Sequence, residues 1–211
     1  MFTLVDLTQT LDAQSLSYPG MVRTWTAVRQ NVRSDLATLS RFSDFDPHGG
    51  THLDAPLHFA PDGADAAGVP LRLYLAIVVR IAAARIEADA IPDDCEGRAV
   101  LFSTGWEDRA GTVAYYEGFP HLTRDAARRL VDRHVGLVGL DTPSADGRTD
   151  GKPSYPAHEL LCGAGVPIVE GLVNLRALLP MEGEILFAAF PLKLREIEAS
   201  PVRAVALVRE D

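Results

Sequence analysis

His48-Gly49-Gly50-Thr51-His52-Leu53-Asp54-Ala55-Pro56-Leu57-His58 is the stretch on which the reading of this 211-residue chain turns. It holds three of the chain's six histidines and an aspartate within eleven positions. A helix turns by about 100° per residue, so His48 and His52 would share a face while Asp54 and His58 lay roughly 200° away. Pro47, Gly49, Gly50 and Pro56 also oppose a helix interior. In an extended chain the four even-numbered residues point to one side. A rise of about 3.3 Å per residue then brings His52 and Asp54 within about 7 Å, but leaves His48 about 13 Å from His52 if the strand is straight. Gly49-Gly50 offers the bend, because glycine tolerates positive φ. The expectation is a kinked loop entering a short extended segment, with its side chains converging.

Imidazole and carboxylate without thiolate suit zinc, manganese or iron(II). Asp54, with two oxygens, is the natural bridge if the site holds two ions. His58 lies beyond the cluster and is placed to stay unligated, as a general acid or base. The competing reading is a polar loop whose histidines only bond to the backbone. Four ligand-type residues on one side favour a metal site over that reading.

The pattern His48-x-Gly50-Thr51-His52-x-Asp54-x-Pro56-x-His58 resembles the signature of the metal-dependent cyclase family, which includes bacterial kynurenine formamidases, isatin hydrolases and certain lactone hydrolases. The resemblance extends to Asp6-Leu7-Thr8, Tyr18-Pro19-Gly20, Thr104-Gly105-Trp106, the run from Gly139 to Ser144, Glu170-Gly171-Leu172, Phe190-Pro191-Leu192-Lys193 and Ser200-Pro201-Val202-Arg203-Ala204. It covers essentially the whole chain. It implies a layered β/β/α arrangement with mixed sheets, like a swivelling domain, and a homo-oligomer, dimer or tetramer.

Outward from the motif, composition bounds the rest. A chain of 211 residues with 47% hydrophobic residues suits one soluble globular domain, and the helix–strand alternation read below makes it a single α/β domain over residues 1–211. A formal net charge of −9 argues against non-specific binding of nucleic acid or anionic membrane. It says nothing about the substrate, since a metal cluster sets its own local field, and the small-molecule partner is what the resemblance implies. Cys95 and Cys162 form neither a zinc knuckle nor a disulfide framework, which fits a reducing cytoplasm. The N-terminus lacks a basic region followed by an apolar core. The longest apolar run, residues 73–86, is interrupted by Arg80 and Arg85 and is too short to span a bilayer.

Along the chain, residues 2–7 read as a strand and residues 8–24 as turns centred on Tyr18-Pro19-Gly20. Residues 25–32 and 36–42 read as a hairpin around Arg33-Ser34-Asp35. Residues 61–70 read as an exposed loop, 73–84 as a buried strand, 99–103 as a strand and 111–120 as a mobile aromatic loop. Residues 123–134 are the best helix: Thr123 caps it, Asp125 sits in the first turn, and basic residues come late. Its inner stripe is Ala126, Leu130 and Val131, with Ala127 on the flank. Residues 136–140 follow as a buried strand, 141–153 as a polar loop, 157–162 as a short helix ending at Gly163, and 166–169 as a strand ending on Glu170. Residues 185–190 and 202–208 close the sheet. Helix followed by buried strand is the grammar of a parallel sheet.

Spacing alone gives His158 and Glu170 little weight, although a carboxylate ending a buried strand is well placed to enter a cleft. The resemblance assigns both as ligands. It implies one ion held by His48, His52, Asp54 and Glu170 and a second held by Asp54, His158 and Glu170, with Asp54 and Glu170 bridging and His58 as proton shuttle. Zinc is the implied metal, as one ion or two, with manganese the other candidate. The implied activity is hydrolysis of an amide bond in a small aromatic substrate, most like an arylformamidase converting N-formylkynurenine to kynurenine and formate. An isatin or lactone ring-opening hydrolase is the alternative within the family. Tyr18, Phe59 and Trp106 are the leading substrate-facing aromatics, with Tyr115 and Tyr116 beside them. Met21 departs from the formamidases, which carry Asp after the Pro-Gly pair. Two further readings are an iron(II) oxygenase built on His52, Asp54 and His158, and a non-catalytic metal- or ligand-binding protein on the same fold. The oxygenase leaves His48, His58 and Glu170 idle, and a silent site does not explain a complete ligand set.

Overall fold

The computed structural model describes residues 2–12, 15, 16, 18, 26–33, 37–43, 46–149 and 152–209, and for 26–33, 37–43, 148–149 and 152–153 the backbone alone. Pro19, Gly20 and Met21, residues 34–36, where the sequence reading put the hairpin's turn, and residues 150 and 151 lie outside the described residues. The strands are β1 (Phe2–Asp6), β2 (Thr26–Arg33), β3 (Ala37–Ser43), β4 (His52–Asp54), β5 (Tyr74–Arg80), β6 (Arg85–Ile86), β7 (Ala99–Ser103), β8 (His121–Leu122), β9 (Leu137–Leu140), β10 (Arg148–Thr149), β11 (Lys152–Pro153), β12 (Ile168–Glu170), β13 (Ile185–Pro191) and β14 (Ala199–Arg209). The helices are α1 (Arg124–Asp132) and α2 (Pro156–Gly163).

Eight strands form one sheet in the order β1-β14-β13-β5-β7-β9-β12-β4, and β4 also pairs with β14, so the sheet closes on itself. β14 makes the closure possible through its length: residues 199–201 pair with β4, and residues 202–208 pair with β13. β5, β7, β9 and β12 run parallel. Along β7, every residue is buried because alternate side chains enter different cores. Ala99 and Leu101 join the core enclosed by the curved sheet, with Leu53, Val169, Phe187 and Ala204. Val100 and Phe102 face the helices, with Leu130, Leu161, Val138 and Ile168. Two cores separated by one sheet wall give the expected β/β/α layering. Phe102 is fully buried in the outer core. Phe102→Ala is expected to cost about 3–5 kcal/mol, read as a lower urea midpoint without loss of helix signal.

The helix read from residues 123–134 forms as α1, with the Thr123 hydroxyl accepting from the Ala126 amide at 3.2 Å. β2 and β3 pair antiparallel, as the hairpin reading required. Several segments differ from their sequence reading. β5 is only half-buried, and Leu71, Leu73 and Leu75 are exposed, because the helix-side core takes in Ile77 and Val79 of this strand but not Leu75. The loop at 61–70 is anchored: Ala66 and Val69 are buried, and the amides of Ala66 and Ala67 donate to the carbonyls of Ile197 and Leu194. The aromatic loop carries a helical turn at Val113–Tyr116 with Tyr115 buried. The polar run 141–146 is buried, not solvated. Among the described residues no helix is long and apolar enough to cross a membrane.

Candidate metal centre

β4 lies between β12 and β14, and its register against β12 sets Glu170 opposite His52. Directly opposed residues on neighbouring strands share a face, so two alternate β4 residues and one pairing gather His52, Asp54 and Glu170. Leu53 turns the other way, into the inner core. Gly50, at φ +66°, makes the bend that brings His48 back towards the strand. Its carbonyl sits so close to Gly171, at φ +69°, that a Cβ there would lie 2.5 Å from the oxygen. α2 brings His158 from the opposite side.

The distances describe a tight cluster. Asp54 Oδ1 lies 2.9 Å from His48 Nδ1 and 3.5 Å from His52 Nε2. Asp54 Oδ2 lies 3.4 Å from His158 Nε2. Glu170 reaches His52 Nε2 at 3.6 Å and His158 Nε2 at 3.2 Å. The His58 ring stands 4.7 Å from that of His48 and 5.6 Å from that of His158, centre to centre. Among the described residues, two sets of three ligand-type residues have donor atoms within 4.8 Å of one another: His52, Asp54 and Glu170, and also His48, Asp54 and His58. The second set places His58 nearer the cluster than its sequence position suggested.

This donor set fits a divalent cation. His52 Nε2 and both Asp54 oxygens are buried and form no hydrogen bond. A buried carboxylate without a hydrogen bond costs several kcal/mol unless nearby positive charge offsets it, and a cation shared by these atoms would supply that charge in place of protonated imidazoles. The electrostatics agree. Burial resists protonation of His48, yet Asp54 and Glu198 overcome it and hold its pKa up at about 9. His158 is likewise raised, against its own burial, by Asp146, Asp54 and Glu170. Burial pushes Asp54 up, but His52, His158 and His48 together hold it well below the usual carboxylate range. The pocket thus attracts positive charge. His58 behaves oppositely: burial first, then the neighbouring His48 and His158, lowers its pKa, against Asp54 and Glu170.

A cavity of about 310 Å³ opens onto the cluster, with His48, His52, Asp54, His58, His158 and Glu170 at its base. Its walls include Tyr18, Phe59, Tyr115, Tyr116 and Tyr155. Trp106 does not line it, contrary to expectation. Its indole N–H donates to the Tyr115 carbonyl at 2.8 Å, and the Arg109 guanidinium stacks 3.9 Å from its ring, so it steadies the aromatic loop from outside. Tyr155, Gln9, Asp146 and Glu198 were not singled out in sequence. Tyr155 and Gln9 enter the wall, while Asp146 and Glu198 contact His158 and His48 from behind. Only Asp146 left a trace, in the Asp-Thr-Pro-Ser run just before it.

A closed mixed sheet carrying a buried His/Asp/Glu cluster at the base of an aromatic cavity defines a divalent-metal-dependent hydrolase, and the comparisons agree. The chain belongs to the cyclase family: the family model described as "Putative cyclase" matches residues 5–147. It is 31% identical over 206 residues, 95% of each chain, to the kynurenine formamidase of Geobacillus thermodenitrificans. Isatin hydrolase A from Ralstonia solanacearum superposes with a TM-score of 0.83 at 27% identity, covering 99% of this chain and 92% of that one. A structure described as a "Potential Metal-Dependent Hydrolase With Cyclase Activity" gives a TM-score of 0.80 at 30% identity over 100% of both chains.

Proposed function

We propose that this enzyme hydrolyses the amide bond of a small aromatic substrate, with an N-formyl arylamine such as N-formylkynurenine as the leading candidate. The observation that carries the reading is the position of His58, whose ring stands beside those of His48 and His158 and lines the aromatic-walled cavity that opens onto the cluster. His48, His52, Asp54, His158 and Glu170 are the proposed ligands, for zinc as one ion or two, or for manganese. A bound divalent ion supplies Lewis acidity and lowers the pKa of water from 15.7 towards about 7.

The chain's own groups supply the rest. Asp54 and Glu170 offset the charge of whatever cation the imidazoles hold. Phe59 and Tyr155, with ring centres 5.3 Å apart, offer one aromatic wall, and Tyr18 and Tyr116, at 5.8 Å, offer another. A flat substrate ring held there is oriented with its amide towards the cluster. His58, kept neutral at pH 7 by burial, accepts a proton on its imidazole and returns it to the departing nitrogen. Without that proton an anilide-type anion leaves poorly. We further propose that the protein acts in the cytoplasm as a homo-oligomer. Leu4, Leu207, Leu186 and Leu75 stand opposite one another across β1, β14, β13 and β5, with Leu4 and Leu75 exposed, and this row of apolar side chains supports self-association.

Zinc- or manganese-replete protein assayed on N-formylkynurenine, isatin and an aryl lactone tests this reading. Formamide cleavage is expected to give the highest kcat/KM. Faster opening of isatin or the lactone would move the assignment to the ring-opening members. Metal-loaded protein silent on all three would favour a binding protein.

A further inference from the structure

We propose that Asp146 is a positioning residue of the metal centre: its carboxylate fixes the tautomer and direction of the His158 imidazole so that Nε2 faces Asp54 and Glu170. The inference rests on the metal reading above and adds a residue outside the ligand set.

Asp146 and His158 are both buried. Asp146 Oδ2 accepts from His158 Nδ1 at 2.7 Å and from the His158 amide at 2.9 Å, while Oδ1 accepts from the Ala157 amide at 2.8 Å. A neutral imidazole has one N–H, so donation from Nδ1 leaves the lone pair on Nε2. That nitrogen is the one lying 3.4 Å from Asp54 and 3.2 Å from Glu170.

The same carboxylate caps the helix that carries the histidine. α2 begins at Pro156, which has no N–H to satisfy, and Tyr155 provides no side-chain cap. The next two amides, of Ala157 and His158, go to Asp146. One group therefore holds the first turn of α2 and the ring that the turn presents, and neither can shift alone. The neighbouring residue extends the clamp, since the Ala145 amide donates to Glu170 Oε1 at 2.6 Å. Adjacent residues of one buried loop thus hold two of the proposed ligands.

The other two imidazoles are held differently. His52 Nδ1 pairs with the Gly50 carbonyl at 3.0 Å, a backbone partner. His48 Nε2 pairs with Glu198 at 3.2 Å, a carboxylate whose side chain is 38% exposed and so screened by water. Asp146 is the buried, charged partner among the three.

The test is zinc affinity, measured by competition with a chromophoric chelator, for the full chain and for Asp146→Ala, with and without His158→Ala. Loss of an outer partner of this kind costs about 10–100-fold in metal affinity, and that loss is expected for Asp146→Ala when His158 is present. With His158 already removed, Asp146→Ala is expected to change zinc affinity by less than about twofold, because the residue acts through that ring. A purely structural cap would leave zinc affinity alone; a lower melting temperature of the metal-free protein is expected in either case, because Asp146 also caps α2. Should Asp146→Ala not fold, Asp146→Asn carries the same comparison: it keeps the shape but can accept with only one oxygen. Unchanged zinc affinity in the folded variant, or an equal loss in both backgrounds, overturns the proposal. If the unaltered protein itself binds no zinc, the metal reading falls and this inference with it.

Discussion

Asp54→Asn is expected to strip the protein of its divalent ion and, with it, of hydrolytic activity. Asp54 is fully buried, and its two oxygens face His48 and His52 on one side and His158 on the other. Asparagine preserves the shape but removes the charge and turns an N–H₂ towards at least one of these imidazoles. The loss should exceed the roughly 10–100-fold that removal of an outer partner costs, since Asp54 belongs to the proposed ligand set itself. Metal content after dialysis against metal-free buffer reads the result. An Asp54→Asn variant that retained a full complement would show that the cation sits elsewhere.

His58→Ala is expected to separate binding from turnover. The His58 ring flanks the cluster and lines the cavity. Positioned proton transfer contributes about 10²–10⁴-fold, so kcat should fall by that amount while metal content stays unchanged. The pH dependence has a definite sign. Burial lowers the His58 pKa below its ordinary 6.5, and positive charge held at the neighbouring cluster lowers it further. The neutral, proton-accepting form therefore persists to lower pH than for a free imidazole. The acid limb that His58 contributes to kcat/KM should lie below pH 6.5 and should be absent from His58→Ala. Undiminished turnover in the variant would end the proton-transfer role. Loss of the ion together with activity would instead make His58 a ligand, as its grouping with His48 and Asp54 allows.

The first half of the site was legible because it is local. Even spacing and a glycine bend are properties of eleven consecutive residues, and the structure realises both in the His52–Asp54 strand and the positive φ of Gly50. His158 and Glu170 were not legible from spacing. They meet Asp54 only because β12 pairs with β4 and because α2 docks beside that pair, and neither long-range event is written in local periodicity. Their sequence assignment came from family resemblance. Asp146 escaped for the same reason: a carboxylate in a polar run reads as solvated until the fold buries it under α2. Apolar content misled at residues 73–84, where the helix-side core takes in only part of β5 and leaves leucines exposed. Trp106 misled because an aromatic residue in a family-like motif does not say whether it faces the cavity or supports the neighbouring loop from outside. Closure of the sheet by the eleven-residue β14 was also hidden, since a strand's length does not reveal that its two halves serve different partners.

The central claim is that one cation centre joins the motif strand to His158 and Glu170. Diffraction from zinc-loaded crystals, recorded on both sides of the zinc absorption edge, tests it most directly. The expected result is an anomalous peak bounded by His52, Asp54, His158 and Glu170, about 2.0–2.2 Å from the coordinating nitrogen and oxygen atoms. Loaded crystals with no peak among these side chains, or with zinc only at surface residues, would contradict the account.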